Sequence, residues 1–216
     1  MADRAVGVPI VKEGVPFVGA AAAATLAMWA VGWAFPTCVF GGVTAFTAWF
    51  FRNPARRIPT QAQAVVAPGD GKVIAIEREF EPRYLKDQSI RISIFLNVFD
   101  VHVNRIPCAG TIQNVIYQPG KFVPANKPAA TVQNEQNAIC LQTQQGAKIL
   151  CVQVAGLIAR RIVSWVTPGD RVTTGERYGL IRFGSRMDLY VPIGSKIGVV
   201  AGQRVKGGET IVAELI

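Results

Sequence analysis

The alternation of apolar and polar residues divides the chain into two parts. Residues 15–51 contain no charged side chain, and Pro36 divides this run into segments 17–35 and 37–51. The first segment is about long enough for an α-helix that crosses the apolar core of a bilayer, and the second is short for a crossing. We expect two membrane-embedded helices that form a hairpin. The pattern does not distinguish a spanning hairpin from one that dips into a single leaflet.

Two other interpretations of this run fit less well. A signal peptide has a positively charged start and a shorter apolar segment, whereas residues 1–14 carry no net charge. A buried core hairpin would rarely leave so long a run without a charged residue. The membrane hairpin is therefore the preferred interpretation.

The residues after the apolar run indicate its orientation. Arg52, Arg56 and Arg57 follow directly. Because basic residues flank membrane helices preferentially on the cytoplasmic side, we expect the rest of the chain on the cytoplasmic side of the cytoplasmic (inner) membrane. Two X-Pro pairs then end the helical pattern. We assign residues 1–59 to the hydrophobic helical hairpin with its linker, and residues 60–216 to a second domain.

From residue 64 onward the hydrophobic period changes to two, which is typical of β-strands. We expect strands at residues 65–67, 72–76, 90–96, 112–117, 138–141, 147–157, 178–183 and 187–191. The Pro-Gly-Asp-Gly sequence at 68–71 predicts a hairpin between the first two. Residues 118–136 form a long polar loop, which is either functional or simply mobile.

A repeated turn pattern defines the fold class of this second domain. Residues 166–176 and 200–209 share the pattern Val-x-x-Gly-x-x-Val-x-x-Gly-Glu, with one extra residue in the first copy. This pattern resembles the paired turns of flattened β-barrels of the biotinyl and lipoyl kind. We expect a mainly β domain, a flattened β-barrel or sandwich with lipoyl-like hairpin repeats, after the N-terminal helical hairpin.

The distribution of charge limits the class of partner. The formal net charge is +9, and residues 1–51 sum to zero, so the whole excess lies in residues 52–216. A basic domain suggests an anionic partner. Nucleic acid is not expected, because no basic recognition helix or aromatic-basic signature is visible. An anionic phospholipid membrane fits better beside a hydrophobic hairpin.

The cysteine and histidine content disfavours a metal site. Cys38, Cys108, Cys140 and Cys151 form no Cys-x-x-Cys pair, and the chain has a single histidine. A zinc site is therefore not expected. We interpret the cysteines as buried thiols of a reducing compartment rather than as disulfides.

A Gly-Ser dipeptide near the C-terminus carries the strongest chemical signal. By itself the pair Gly184-Ser185 predicts an ordinary turn, and a second Gly-Ser occurs at 194–195. Its context is more specific: residues 182–186 are Arg-Phe-Gly-Ser-Arg, and an Asp-x-Tyr-x-Pro sequence follows. This stretch resembles the processing site of the phosphatidylserine decarboxylases, in particular their short, archaeal or bacterial form.

The resemblance implies a self-processing enzyme. It places autocatalytic cleavage between Gly184 and Ser185, which gives a large and a small chain, and it makes Ser185 the source of a covalent pyruvoyl (pyruvate) cofactor. The implied reaction is decarboxylation of phosphatidylserine to phosphatidylethanolamine through a Schiff base with that group. A homodimer is compatible with the sequence, which offers no indication of oligomeric state.

His102 is the candidate proton-transfer group. A lone histidine is more often a hydrogen-bonded structural residue, but imidazole is suited to proton transfer near neutral pH. Its segment resembles a second landmark of the family, Asp-x-His ahead of a Pro-x-x-Gly turn, here at 107–110. Longer family members have a second histidine where this chain has Arg105. His102 therefore serves both maturation and turnover, or another group takes one of these roles.

Two acids are candidates for the partner of His102. Asp70, in the turn at 68–71, resembles the third landmark, although aspartate in such a turn commonly caps its own backbone. In the implied arrangement Asp70 orients His102, and His102 takes the proton of Ser185. Asp100, two residues before His102, is the rival, and we prefer Asp70.

Basic side chains near the Gly-Ser site are candidates for contact with the substrate phosphate. These are Arg182, Arg186 and the pair Arg160-Arg161, whose alternative role is to form solvated sheet surface.

The main rival function is a non-catalytic, membrane-anchored, lipoyl-type adaptor of an export system. Such adaptors insert a long heptad hairpin, which is not visible here. A biotin or lipoate carrier would need a modifiable lysine where this chain has Gly184-Ser185.

Overall fold

The computed structural model describes residues 8–127, 129–156, 162–182 and 184–216. The chain separates into two compact units, Met1–Ala55 and Arg56–Ile216. Residues 56–59, which the sequence pattern assigned to the linker, belong to the second unit. The predicted fold class, a mainly β domain preceded by a pair of apolar helices, is confirmed.

The first unit is a pair of apolar helices. A short 3-10 helix, Lys12–Gly14, leads into α1 (Val15–Ala30), and α2 (Ala34–Phe50) follows. The hydroxyl oxygens of Thr25 and Thr44 lie 3.1 Å apart and join the two helices. None of the residues of α1 is buried by other parts of the protein.

The helix break lies at Gly32 rather than at Pro36. Gly32 has a φ of +78°, a left-handed conformation that glycine adopts at little cost. Pro36 lies in the first turn of α2, where its missing N–H would have no intrahelical acceptor, so proline is tolerated there. The predicted division at Pro36 was therefore wrong, because proline breaks a helix only beyond its first turn.

The membrane interpretation has limited support from helix length. Among the described residues, the segment Lys12–Ala30 is long and apolar enough to cross a membrane, with a mean hydropathy of 1.2, and α2 is shorter.

The regular secondary structure of the described part of the second unit is mainly β-strand. In chain order they are β1 (Ala64–Val66), β2 (Gly71–Glu81), β3 (Asp87–Leu96), β4 (Val103–Arg105), β5 (Gly110–Gln118), β6 (Gln136–Gln142), β7 (Lys148–Val154), β8 (Ile162–Ser164), β9 (Arg171–Val172), β10 (Arg177–Ile181), β11 (Ser185–Pro192), β12 (Lys196–Ile197), β13 (Arg204–Val205) and β14 (Ile211–Glu214). A single helical turn, α3 (Ala130–Gln133), interrupts them.

The strands form one large curled sheet and two small sheets. The eight-stranded sheet has the order β13-β2-β3-β11-β7-β6-β5-β9, and the three-stranded sheets have the orders β4-β10-β8 and β1-β14-β12. Neighbouring strands pair in the antiparallel sense. The main hydrophobic core lies on one face of the large sheet and includes Ile92, Ile94 and Leu96 of β3 with Met187 and Leu189 of β11.

The repeated turn pattern forms equivalent structures at opposite edges of the large sheet. The strand of the first copy, β9, pairs with β5 at one edge, and the strand of the second copy, β13, pairs with β2 at the other. The turn glycines have matching left-handed φ angles: +90° and +76° at Gly169 and Gly175, and +91° and +80° at Gly202 and Gly208. The lipoyl-like repeat is thus a repeat of conformation as well as of sequence.

The predicted hairpin at residues 68–71 is wrong. The strands on either side of this turn do not pair with each other: β1 pairs with β14, whereas β2 pairs with β3 and β13. Alternation identifies a strand and its buried face, but it does not identify the neighbouring strand. The turn therefore carries the chain from one sheet to another.

The long polar segment 118–136 is tied to the sheet by Asn134. This side chain is fully buried, and its amide bonds both the N–H and the carbonyl of Val123, at 2.9 and 2.7 Å, and the carbonyl of Ala155 at 2.6 Å. Apart from Pro128, which lies outside the described residues, the segment is an ordered cover over one face of the sheet rather than a free loop.

Candidate active site

Ser185 is the first residue of β11 and lies in the protein interior. Its side chain is 0% exposed, and Leu96 of β3 lies directly opposite it. The Ser185 hydroxyl oxygen has no hydrogen-bond partner among the described residues. A buried hydroxyl without a partner costs about 1–3 kcal/mol, so an unused hydroxyl at this position needs an explanation.

The peptide before Ser185 lies at a corner where the chain changes sheets. Strand β10 belongs to a three-stranded sheet and β11 to the eight-stranded sheet, so Gly184-Ser185 is not the tip of a hairpin. Gly184 has a φ of +61°, in the left-handed region that favours glycine. Phe183, the preceding residue of the motif, lies outside the described residues.

The second Gly-Ser pair differs from the first in its backbone. Ser195 also has a buried hydroxyl without a partner in the described part of the chain. However, its N–H closes an ordinary turn onto the carbonyl of Pro192 at 2.9 Å, and Gly194 is not among the described residues with positive φ. An unpartnered hydroxyl alone therefore does not distinguish Ser185; the left-handed glycine and the surrounding groups do.

His102 is held beside the strand that leads to Ser185. It is 3% exposed and immediately precedes β4, which pairs with β10. The N–H of Ile181, the last residue of β10, donates to the His102 carbonyl at 3.3 Å. Because only three residues separate Ile181 from Ser185, this pairing brings the histidine segment to the Gly-Ser corner.

The tautomer of His102 follows from its backbone contact. Its Nδ1 lies 2.9 Å from the Asp100 carbonyl oxygen, which can only accept a hydrogen bond. Nδ1 therefore carries the proton in the neutral ring, and the lone pair is on Nε2. This is the form that a general base requires.

The Asp100 carboxylate stabilises the loop rather than the ring. Its Oδ2 accepts the N–H of Asn97 at 2.9 Å, and its Oδ1 pairs with Nη2 of Arg204 at 2.7 Å. The Asp100 group that contacts the His102 ring is its backbone carbonyl. Asp100 thus positions His102 through its main chain.

Asp70 lies near the same corner but is engaged by other groups. Its carboxylate receives two hydrogen bonds from Nη2 of Arg56, at 2.9 and 2.8 Å, and one from the N–H of Gly207 at 2.8 Å. The preceding residue, Gly69, packs against Leu96 and Met187, which are close neighbours of Ser185. The structure therefore places the Asp70 turn beside the site, with Arg56 as the charged partner of its acid.

Arg105, at the position of the second histidine of longer family members, is a buried cation. Burial lowers the pKa of its guanidinium to about 10, and the neighbouring charges of Arg56 and Arg177 act in the same direction. Its Nη1 donates to the carbonyl of Gly175 at 2.9 Å. With a pKa near 10 the group stays protonated at neutral pH and cannot act as a base there. His102 is the only imidazole of the chain.

A buried row of amides was not anticipated from the sequence. Nδ2 of Asn137 donates to Gln153, whose Nε2 donates to Oδ1 of Asn104, both at 2.8 Å. Nδ2 of Asn104 then has no partner among the described residues. Gln153 lies opposite Met187, so the row lies on the face of β11 that carries Ser185. The position of Asn104, two residues after His102 on an extended segment, was the available signal.

Arg186 lies on the opposite face of β11 and is 2% exposed. Its guanidinium makes five hydrogen bonds: two to the Asp188 carboxylate at 2.9 and 2.8 Å, and one each to the Ala125 carbonyl, the Lys127 carbonyl and the Thr131 hydroxyl, at 2.8, 3.3 and 2.6 Å. These use all five N–H donors of an arginine. Contact with a substrate phosphate would require Arg186 to release this network.

The other basic candidates are Arg182 and the pair Arg160-Arg161. Arg182 is half-buried in the segment between β10 and β11. The pair Arg160-Arg161 lies outside the described residues. The phosphate contact therefore stays a prediction for each of them.

Comparison with known proteins is consistent with this geometry. A family model described as "Phosphatidylserine decarboxylase" matches residues 43–213. Similar curated proteins are named phosphatidylserine decarboxylase proenzyme: one from Desulfotalea psychrophila is 48% identical and covers 97% of this chain and 98% of its own length, and one from Ralstonia pickettii is 46% identical and covers 95% of each. One from Nitrosomonas europaea is 44% identical, over 95% of this chain and 94% of its own. The chain therefore belongs to the phosphatidylserine decarboxylase family.

Proposed function

We propose that this chain decarboxylates phosphatidylserine to phosphatidylethanolamine with a pyruvoyl group that it makes from its own Ser185. The observation that carries the proposal is the buried Ser185 hydroxyl, without a partner in the described residues, directly after a left-handed glycine. The word "proenzyme" in the names of the similar proteins supports a processing step.

Maturation begins with a transfer of the backbone from nitrogen to oxygen. Ser185 Oγ attacks the Gly184 carbonyl carbon, the bond from that carbon to the Ser185 nitrogen breaks, and the hydroxyl proton passes to the leaving amine. His102 is the base for this proton, because its Nε2 carries the lone pair. The product is an ester between Gly184 and the Ser185 side chain.

Elimination and hydrolysis complete the cleavage. Loss of the Ser185 α-proton expels the Gly184 carboxylate and leaves a dehydroalanine at the new N-terminus. Its imine tautomer takes up water and releases ammonia, which leaves a ketone at position 185. The large chain then ends at Gly184 and the small chain begins at the pyruvoyl group.

The site suits this group and its reaction. A pyruvoyl group at position 185 would supply a ketone for the substrate amine and an electron sink for the decarboxylation, the role that other enzymes give to pyridoxal phosphate. Position 185 is fully buried in the undivided chain, so the group forms at a site shielded from bulk solvent. His102 returns a proton to the substrate α-carbon.

The roles of the acids follow from their contacts. We assign the orientation of the His102 ring to the Asp100 carbonyl, which holds Nδ1 at 2.9 Å. Asp70 supports the site through the Arg56 and Gly207 contacts. Loss of cleavage in Asp70→Asn but not in Asp100→Asn would show that cleavage requires the Asp70 carboxylate, either as a support for the site or as the orienting acid of His102.

The cellular setting follows from the helical pair and the net charge. We place the apolar helices in the inner membrane and the β-rich unit on its cytoplasmic side, in contact with anionic phospholipid. The apolar length of Lys12–Ala30 and the positive charge of residues 52–216 support this placement. A phospholipid substrate is accessible to an enzyme held at the membrane surface.

Intact mass under denaturing conditions tests the proposal. The purified full-length protein in detergent gives two chains divided after residue 184, and the smaller chain resists Edman degradation because a pyruvoyl group has no amine. Borohydride with phosphatidylserine attaches the lipid amine to the small chain. An active preparation that contains only the undivided chain would refute the mechanism. An undivided, inactive chain would favour the adaptor alternative.

His102→Ala tests the assignment of the base. We expect loss of decarboxylation and slowing of cleavage by about 100-fold or more, the usual scale for removal of a general base. Turnover of this variant at the wild-type rate per pyruvoyl group would remove His102 from the mechanism.

A further inference from the structure

Gly156 touches the bond that the proposed maturation breaks. It follows β7, the neighbour of β11 in the large sheet. A Cβ atom built at residue 156 would overlap the carbonyl oxygen of Gly184 and lie 3.0 Å from its carbonyl carbon. The Cβ of Ala125, on the segment that covers the sheet, would lie at 3.4 Å. The backbone at 156 therefore lies directly against the scissile carbonyl.

The need for glycine at 156 comes from this contact and not from backbone conformation. Gly156 is not among the glycines with positive φ, so a left-handed backbone is not the reason for glycine at this position. What excludes a side chain is the Gly184 carbonyl group. Gly184, in contrast, has a left-handed φ and open space around its would-be Cβ. The two glycines thus serve different purposes at the same corner.

We propose that Gly156 is a positioning residue for self-cleavage: its bare backbone holds the Gly184 carbonyl in the orientation in which Ser185 Oγ can attack. The inference rests on the proposed cleavage between Gly184 and Ser185. Packing against the carbonyl oxygen restricts rotation of the Gly184-Ser185 peptide plane, and this plane contains both the bond that breaks and the carbon that is attacked. A displacement of about 1 Å in such a geometry costs on the order of 100-fold in rate.

The role belongs to maturation alone. Once the backbone has been cut, the Gly184 carbonyl is part of the free carboxylate at the end of the large chain, and the substrate reacts at position 185. A side chain at 156 should therefore slow the formation of the pyruvoyl group and leave turnover by each pyruvoyl group unchanged. A general folding defect would lower both.

The experiment compares Gly156→Ala with Gly110→Ala in the full-length protein. Gly110 is a matched control because a Cβ there would overlap the backbone carbonyl of Gln142, in the same sheet but away from the Gly-Ser corner. Short induction followed by intact mass gives the rate of cleavage. A hydrazine-type carbonyl reagent counts pyruvoyl groups, and hydroxylamine cuts any accumulated ester between Gly184 and the Ser185 oxygen.

We expect Gly156→Ala to slow cleavage by about 100-fold, with no build-up of hydroxylamine-sensitive ester, because attack itself is impaired. Turnover per pyruvoyl group should equal that of the wild type. Gly110→Ala should cleave at close to the wild-type rate despite a similar fall in melting temperature.

Four outcomes would overturn the inference. They are cleavage of Gly156→Ala at the wild-type rate, a slowing no greater than that of Gly110→Ala, turnover per pyruvoyl group that falls with the cleavage rate, and failure of Gly156→Ala to fold while Gly110→Ala folds. Failure of the proposed function is a separate result, because in that case the wild-type chain itself would not divide.

Discussion

Ser185 and Arg186 are consecutive residues on opposite faces of β11, and their side chains differ in how fully they are hydrogen-bonded. On one face Ser185 is fully buried, and its hydroxyl has no partner among the described residues. On the other face Arg186 is almost as deeply buried and uses all five of its N–H donors. The same strand thus carries one polar group that is saturated and one that is left available.

This difference separates stabilisation from chemistry. The Arg186 face ties the covering segment to the sheet through Ala125, Lys127 and Thr131, so its bonds maintain the fold. On the Ser185 face, the Ser185 hydroxyl and Nδ2 of Asn104 have no hydrogen-bond partner among the described residues. A buried nucleophile must be able to react, and a hydrogen-bond network that used all of its bonding capacity would restrain it.

The largest expected effect is on the Ser185 face. Ser185→Ala removes the attacking oxygen, so division of the chain should stop completely and decarboxylation should be lost. Because the hydroxyl makes no bond in the described structure, the melting temperature should stay the same or rise slightly. Intact mass and thermal unfolding in detergent measure the two effects.

Ser195→Ala is the matched control for this variant. It removes a buried, unpartnered hydroxyl from the other Gly-Ser pair and should leave cleavage and turnover unchanged. Division of the Ser185→Ala chain, or loss of division in Ser195→Ala, would show that the nucleophile is misassigned. The two faces of β11 would then not separate chemistry from stabilisation.

On the Arg186 face the expected effect is on stability. Asp188→Asn leaves the Arg186 guanidinium buried beside a neutral amide, and removal of one partner of a buried ion pair costs about 3–5 kcal/mol. Measured in the uncleaved Ser185→Ala background, this corresponds to a melting temperature lower by about 10 °C.

An exposed ion pair provides the control for Asp188→Asn. The side chains of Lys196 and Glu214 are 75% and 47% exposed, so Lys196→Ala should change stability by less than about 0.5 kcal/mol. A loss below about 1 kcal/mol in Asp188→Asn would mean that the Arg186 network contributes little, and that this face is not the stabilising one.

The sequence predicted the elements of this arrangement but not their pairing. The alternating pattern placed strands close to β10 and β11, and the repeated turns at 166–176 and 200–209 have matching conformations. The same pattern could not show that β10 and β11 lie in different sheets, because alternation defines a buried face and not a neighbour. The corner at Gly184 therefore looked like a hairpin.

The family resemblance predicted the individual residues of the candidate site, but it did not predict the contacts that support them. No local pattern indicates that Arg56 pairs with Asp70, or that the Asp100 carbonyl holds His102. Such contacts join residues from separate strands and loops, and they depend on strand order. Gly156 was missed for the same reason, since its importance lies in a contact with a residue 28 positions later.

The smallest expected effect distinguishes the two faces without changing the protein's activity. Cys151 lies opposite Leu189, on the Ser185 face, and Cys140 lies opposite Leu150, on the Arg186 face. Burial raises the pKa of the Cys151 thiol to about 12. For Cys140, which is half-buried, burial also raises the thiol pKa.

Thiol labelling of the native protein reports this difference. Because the thiolate is the reactive form, and a thiol of pKa 12 is about 0.01% ionised at pH 8, Cys151 should resist alkylation until the protein unfolds. Cys140 should react slowly, with a rate that rises with pH over the range where Cys151 is still protected. Peptide mass mapping after timed alkylation measures both rates. Labelling of Cys151 as fast as Cys140 would mean that the Ser185 face opens to solvent in the native state, which contradicts the burial of that face.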